Sequence, residues 1–382
     1  MRLIHLTLKR FEYTRADNAY VENLANKFND KLGDNYLLIL ISCDNNQFIN
    51  CNKYLLDINF LKKTSFGFFW VPYIYFLFWF PFFIIKEKLN KKDNVLFSSD
   101  RYILIFLVFC KVFFRLKFKI CSDWHMYLEG WKNKIIALKS DYLITTSHKL
   151  KKIIINKSGL KPFKIKTVYG GIDLSYYDIP VDIKLQRKRF NLPENKKLVG
   201  YIGLFKTMRM EKGIDFMIKS LPQIDSNTHM VFVGARDNEK DEYLAIAEKF
   251  GVKDRVHIFE MQKFKEMALL EIIMDVLVIP YPDQPHFRDY GFPMKVYEYM
   301  AAKRPIVYSM LDLTEEVLSD CGFGYIPDDR DNFIKAINYV ISKNNFEIIN
   351  KKVGLAYQKL NNLTWDNKAK EILTFLGFNL CL

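Results

Sequence analysis

The sequence predicts an α/β protein of two domains, each a parallel sheet flanked by helices. Three observations predict it. Short apolar runs alternate with segments of helical periodicity along the whole chain. The alternation forms two series, separated by a charged stretch from Asp182 to Lys197. At 382 residues the chain is long enough for two ordinary domains with cores.

Leu3–Leu8 opens the first series as a strand, with a polar loop after it. A helix over about Asn18 to Lys31 follows, then a strand at Tyr36–Ser42. Val95–Ser98, Phe118–Cys121, Tyr142–Thr146 and Thr167–Tyr169 continue the strands. The opening run is too short for a signal-peptide core. Phe66 to Ile85 breaks the pattern, with twelve aromatic residues in twenty, no charge, and Lys62, Lys63 and Lys86 around it. By length it could span a membrane. Strands on both sides that belong to one sheet, together with Pro72 and Pro81, argue against a span. A buried helix and an aromatic surface lying in a membrane interface both stay open. The second series reads Leu198–Ile202, Met230–Val233, Val256–Phe259, Val276–Ile279, Ile306–Tyr308 and Gly324–Ile326, and Asn367–Phe378 is an amphipathic closing helix.

Fifty-seven Lys and Arg against 43 Asp and Glu give a net charge of +14. That excess suits an anionic ligand, an acidic membrane surface or nucleic acid. No nucleic-acid-binding motif is visible, and the aromatic block is too apolar for a base-stacking platform. Six cysteines (43, 51, 110, 121, 321 and 381) show neither a CxxC pair nor metal-like spacing with histidine, which fits free thiols in a reducing cytosol. No metal site is expected.

The chemistry gathers around Tyr290 to Ser309, YGFPMKVYEYMAAKRPIVYS. Pro293 precedes a helix that starts at Met294–Lys295 and carries Glu298 one turn later. The helix starts at the carboxyl end of a strand, where ligands bind in open α/β sheets, and its first amides favour an anion. An ordinary βαβ unit with a solvated glutamate is the other reading. Upstream, Gly203 ends a strand and would let a ligand approach the backbone. Arg209 and Lys212 follow, placed to pair phosphate oxygens or, equally, to be solvated loop cations. No GxGxxG or P-loop occurs. His125 follows the strand ending at Cys121, where it can serve a cleft as donor or as acid and base, or be structural.

Taken together these residues resemble the GT-B nucleotide-sugar glycosyltransferases of family 4, within the group 1 glycosyl transferases. Lys212-Gly213, Glu298 in YEYMAAKRPIV, His125 in Asp123-Trp124-His125, the Gly170-Gly171-Ile172-Asp173 segment and Leu363-Thr364-Trp365 carry the resemblance. It implies two Rossmann-like domains facing across a cleft, at 1–180 and 181–365. A crossover helix at 366–382 would return to the first. It also implies retaining, metal-independent transfer of a sugar from a nucleoside diphosphate donor, with no cofactor. Glu298 would hold the donor ribose. Gly203, Arg209, Lys212, Pro293, Met294 and Lys295 would bind the diphosphate, and His125 would face the sugar. The loop Lys9–Asp17 would frame the acceptor, a surface glycan or lipid-linked saccharide. The setting would be the cytoplasm, with contact to the inner face of the membrane through 66–85. Tyr290, Leu204 and Lys303 depart from the family pattern. They motivate two alternatives, a non-catalytic partner subunit and a sugar-nucleotide epimerase.

Overall fold

A computed structural model describes residues 1–8, 16–41, 51, 53–56, 71–91, 93–291 and 294–380. The chain divides into two units, Met1–Tyr169 with Trp365–Leu382, and Gly170–Thr364. The loop residues 9–15, the residues 66–70 of the aromatic stretch, and Pro293, Cys43 and Cys381 lie outside the described residues.

The first unit holds seven strands: β1 (Arg2–Leu6), β2 (Tyr36–Ile41), β3 (Lys53–Leu56), β4 (Asn94–Ser98), β5 (Lys119–Trp124), β6 (Tyr142–Thr145) and β7 (Ile165–Thr167). They form one parallel sheet in the order β3-β2-β1-β4-β5-β6-β7. A parallel sheet is covered on both faces, so its strands read as unbroken apolar runs. Every residue of β4 is buried. The chain moves outward from β1 to β3, then returns to β4 on the other side of β1. Strand order therefore reverses between β1 and β4. Right-handed crossovers place the helices Val71–Lys86, Arg101–Phe113 and Trp131–Lys139 on one face, and the helix Ala16–Leu32 on the other. Asp100 fixes the second of these helices, accepting from the amide of Tyr102 at 2.9 Å and from the hydroxyl of Tyr73 at 2.7 Å.

The second unit has β8 (Lys197–Ile202), a hairpin of β9 (Lys206–Thr207) and β10 (Met210–Glu211), then β11 (Thr228–Ala235), β12 (Val256–Glu260), β13 (Val276–Ile279), β14 (Ile306–Ser309) and β15 (Phe323–Tyr325). The main sheet is parallel, ordered β12-β11-β8-β13-β14-β15. Its reversal falls between β8 and β13. The architecture is the expected one, two doubly wound α/β units. The stretch 182–197, read as a linker, instead lies in the second unit and carries the helix Ile183–Arg189. Arg187 is buried there. Its guanidinium donates to the carbonyl of Ile273 at 2.7 Å and to Asp275 at 2.9 Å.

The C-terminal helix Trp365–Leu376 packs within the first unit against Ala16–Leu32. Trp365, Lys368, Ala369, Ile372, Leu373 and Leu376 are buried, at the three- and four-residue spacing of one helical face. The Trp365 ring meets Tyr20 edge-on at 5.5 Å. Lys368 is buried and donates to the carbonyls of Val168 and Tyr169 at 3.0 and 2.8 Å. Burial brings its amine down to about 8, although Asp123 and Glu371 oppose the shift. Leu373→Ala should cost about 3 kcal/mol in denaturant unfolding of the first unit, while the neighbouring exposed Thr374→Ala stays within about 0.5 kcal/mol.

Candidate functional site

The carboxyl ends of β8 and β13 flank the reversal point of the second sheet, where a crevice opens in folds of this kind. Gly203 leaves β8 at φ +145°, and a Cβ there would lie 1.8 Å from Cε of Lys295. That φ favours glycine, and its missing side chain leaves the Lys295 chain room across the strand end. Gly213 has φ +85°, and a Cβ would lie 2.0 Å from the carbonyl oxygen of Pro280 just after β13. These two close approaches bring β8, the Lys212–Gly213 loop, β13 and the helix Lys295–Ala301 together. The hydroxyl of Tyr299, fully buried in that helix, accepts the Ile202 amide at 2.9 Å and fixes the helix against β8.

The electrostatics are one-sided. Lys295 Nζ lies 3.6 Å from Glu298 Oε2, each side chain 12% exposed. Glu298 Oε2 is buried and has no hydrogen-bond partner among the described residues. The Lys212 amine has no ion-pair partner among them. Burial, with the nearby charges of Lys295 and Arg236, lowers it to about 8. His286 is lowered too, by burial and by Lys212. Behind this cluster lies Glu271, 1% exposed, accepting from the hydroxyl of Tyr177 at 2.7 Å. Burial and the charge of Glu298 push its carboxyl up to about 8, with Lys295 opposing. The site therefore sets two amines, Lys212 and Lys295, beside one carboxyl at Glu298, with an acid pushed toward its neutral form at Glu271 behind. An unneutralised amine in such a place is stabilised by a polyanion.

Residues 196–343 match the family described as glycosyl transferases group 1. This segment of the chain is similar to a group 1 glycosyltransferase domain. Among curated proteins, the chain is 25% identical over 241 residues to an uncharacterized glycosyltransferase, MJ1607, of Methanocaldococcus jannaschii. That match covers 61% of this chain and 59% of the relative, so it spans little more than half of that protein. It is 24% identical over 282 residues to the O-antigen biosynthesis glycosyltransferase WclY of Escherichia coli, covering 70% of this chain and 74% of WclY. The crystal structure of Anabaena HepE in complex with UDP superposes with TM-score 0.74 at 15% identity, covering 98% of this chain and 99% of that one. The fold is GT-B.

Within the matched segment, the structure brings together Gly203, Lys212, Lys295 and Glu298, with Met294 capping the helix that carries the last two. Arg209 stands apart from that cluster. It is exposed, at φ +66°, in the two-residue turn Met208-Arg209 between β9 and β10. Both turn residues have positive φ, the geometry that matches the twist of a tight hairpin. Lys206 is occupied by Glu211 at 3.3 Å and Glu242 at 3.1 Å. Sequence reading missed Glu271. Its signal was a lone acid at a core position of the apolar helix Phe264–Ile272.

His125 lies in the first unit, past the end of β5. Its Nε2 sits 3.2 Å from Asp123 Oδ2, which also accepts the hydroxyl of Tyr20 at 2.8 Å. Asp123 is buried. Burial pushes its carboxyl up, but His125, Lys368 and Tyr20 outweigh that and hold it below the usual range. Asp123 Oδ1 has no partner among the described residues. A cavity of about 340 Å³ adjoins, lined by Tyr20, Ser99, Arg101, Asp123, His125 and Asn133 among others.

Lys212 yields a pH test. Below about pH 8 both the folded and unfolded states hold its proton, and the cost of burying the charge is full. Between about 8 and the ordinary lysine value the folded state releases the proton and the unfolded state keeps it, so stability rises with pH. Urea unfolding of wild type and Lys212→Met should differ by a constant amount below about pH 8, and wild type should gain on the variant above it. A difference that stays flat to pH 10 would sink the assignment of a buried, uncompensated amine.

Proposed function

We propose that this protein transfers a sugar from a nucleoside diphosphate donor to an acceptor hydroxyl, with retention and without a metal ion. The observation that carries the reading is the cationic cluster of Lys212 and Lys295 beside Glu298, at the reversal point of the second sheet. When the bond from the anomeric carbon to the diphosphate breaks, negative charge accumulates on the departing phosphate oxygens. Fixed cations in a site of low polarity meet that charge best. Lys212 and Lys295 supply them, assisted by the amides at Met294–Lys295 next to Pro293. Two lysines provide the neutralisation that a divalent ion gives elsewhere.

Glu298 accepts from the ribose hydroxyls, which give its unpaired oxygen a partner. Gly203 leaves room for the nucleotide against the backbone. His125, held by Asp123, contacts the transferred sugar. The cavity beside it suits the acceptor, read as a surface glycan or lipid-linked saccharide. The role of WclY in O-antigen biosynthesis and the aromatic stretch 66–85 support that class. The same stretch supports our reading of a cytoplasmic setting with contact to the inner face of the membrane. The UDP held by HepE makes uridine diphosphate sugars the first donors to try.

Thermal stabilisation by a panel of UDP- and GDP-sugars identifies the donor, since a ligand bound only by the folded state raises its melting point. With that donor, Lys212→Ala and Glu298→Ala should each lower turnover at least about 100-fold while both still unfold cooperatively, Lys212→Ala at a melting point no lower than wild type, with no effect of EDTA on wild-type turnover. Wild-type rates in both variants refute the site. A wild-type protein that binds no donor by calorimetry refutes the activity.

A further inference from the structure

Three helices of the first unit, Val71–Lys86, Arg101–Phe113 and Trp131–Lys139, pack side by side on one face of its sheet. Phe76 and Phe80, on the inner side of the first, each meet Phe106 of the second at 5.8 Å. Lys132 of the third lies 5.7 Å over the ring of Tyr102 in the second. Their outer sides are apolar as well. Ile74, Phe78, Phe82 and Ile85 form an exposed stripe at helical spacing, the last three each more than 70% exposed. Phe109 and Phe113 continue it, their rings stacked at 5.3 Å, and Trp131 and Leu138 extend it onto the third helix. Soluble monomers rarely leave so broad an apolar area in water.

The charged residues within these three helices are all basic. None of the three helices contains an acidic residue. Lys86, Lys132, Lys134 and Lys139 are exposed and have no ion-pair partner among the described residues, and Arg115 and Lys117 flank the second helix. We propose that this three-helix face is a docking surface for an anionic lipid bilayer, the aromatic stripe entering the acyl boundary and the lysines meeting lipid phosphates. A second copy of the chain is disfavoured, because two such faces would set lysine against lysine. No helix among the described residues is long and apolar enough to cross a membrane, and Pro81 lies inside the most apolar one. The geometry is that of elements lying in the interface. The surface widens the contact beyond 66–85 and involves none of the donor-site residues.

The full chain is sedimented with vesicles of phosphatidylcholine alone and with phosphatidylglycerol added. It should bind the anionic vesicles at least about tenfold more strongly, and added salt should weaken that binding. Phe78→Ser with Phe82→Ser should reduce partitioning at least about tenfold, and Lys132→Gln with Lys134→Gln should narrow the preference for anionic lipid. Brominated lipid should quench tryptophan emission of the wild type, and less so in Trp131→Phe, a readout that needs no perturbed fold. Absence of binding to either vesicle overturns the proposal, as does binding that the phenylalanine changes leave untouched. So does a dimer in sedimentation velocity that those changes dissolve. Donor turnover by a protein that ignores vesicles would leave the transferase reading standing, and the reverse would leave this surface standing.

Discussion

The passage of the Lys295 side chain over Gly203 is the contact on which the second unit's site depends. Glycine at φ +145° leaves room for it at the end of β8, and it sets an ammonium against the end of the central strand. Everything nearby is adjusted to that charge. Glu298 partly balances it at 3.6 Å, and Glu271 behind is pushed toward its neutral form, which avoids a second buried anion. Lys212 then meets a site that is already positive, and its amine loses proton affinity. Ligand-free, such a cluster destabilises the folded chain, and cost of that kind is common where binding is the purpose.

The first unit meets the same electrostatic problem differently. Asp123, His125, Tyr20 and Lys368 bury a mixed set of charges and hydroxyls around β5 and the C-terminal helix. Here cation and anion are both present, so the carboxyl stays ionised in spite of burial. The unpaired Oδ1 of Asp123 next to a cavity is the only acceptor of that group left without a donor among the described residues. His5, packed against Phe97 at 4.9 Å and buried, is brought down to about 4 and so stays neutral, which keeps a further cation out of the cluster.

Strands were legible because parallel pairing buries both faces, which leaves contiguous apolar runs such as Val276–Ile279. β3 was not, because Lys53–Leu56 is a short edge strand behind a polar stretch. The hairpin of β9 and β10 was hidden for another reason. Its turn uses Met208 and Arg209 with positive φ, where sequence rules look for glycine or asparagine. The charged stretch at 182–197 looked like a linker because its exposed side is polar, and nothing local announces that Arg187 reaches the Ile273 carbonyl 86 residues away. Lys212, Lys295 and Glu298 were legible as residue types. Their proximity was not, since it follows from the strand reversal between β8 and β13.

The departures from the family pattern also have a structural account. Lys303 adopts φ +55°, a conformation that costs an ordinary side chain of order 1 kcal/mol or more. Its ammonium lies 4.0 Å over the ring of Tyr357 and 3.4 Å from Asp178, and Tyr357 in turn donates to Asp178 at 2.9 Å. The strained turn is thus held by a cation, a ring and a carboxylate in mutual contact. Leu204 likewise has a defined task, its carbonyl accepting the buried hydroxyl of Tyr201 at 2.8 Å. A decaying site tends to lose partners around its substitutions. Lys303 has such partners, which argues that its turn is held in a defined conformation at the end of the helix that carries Lys295 and Glu298.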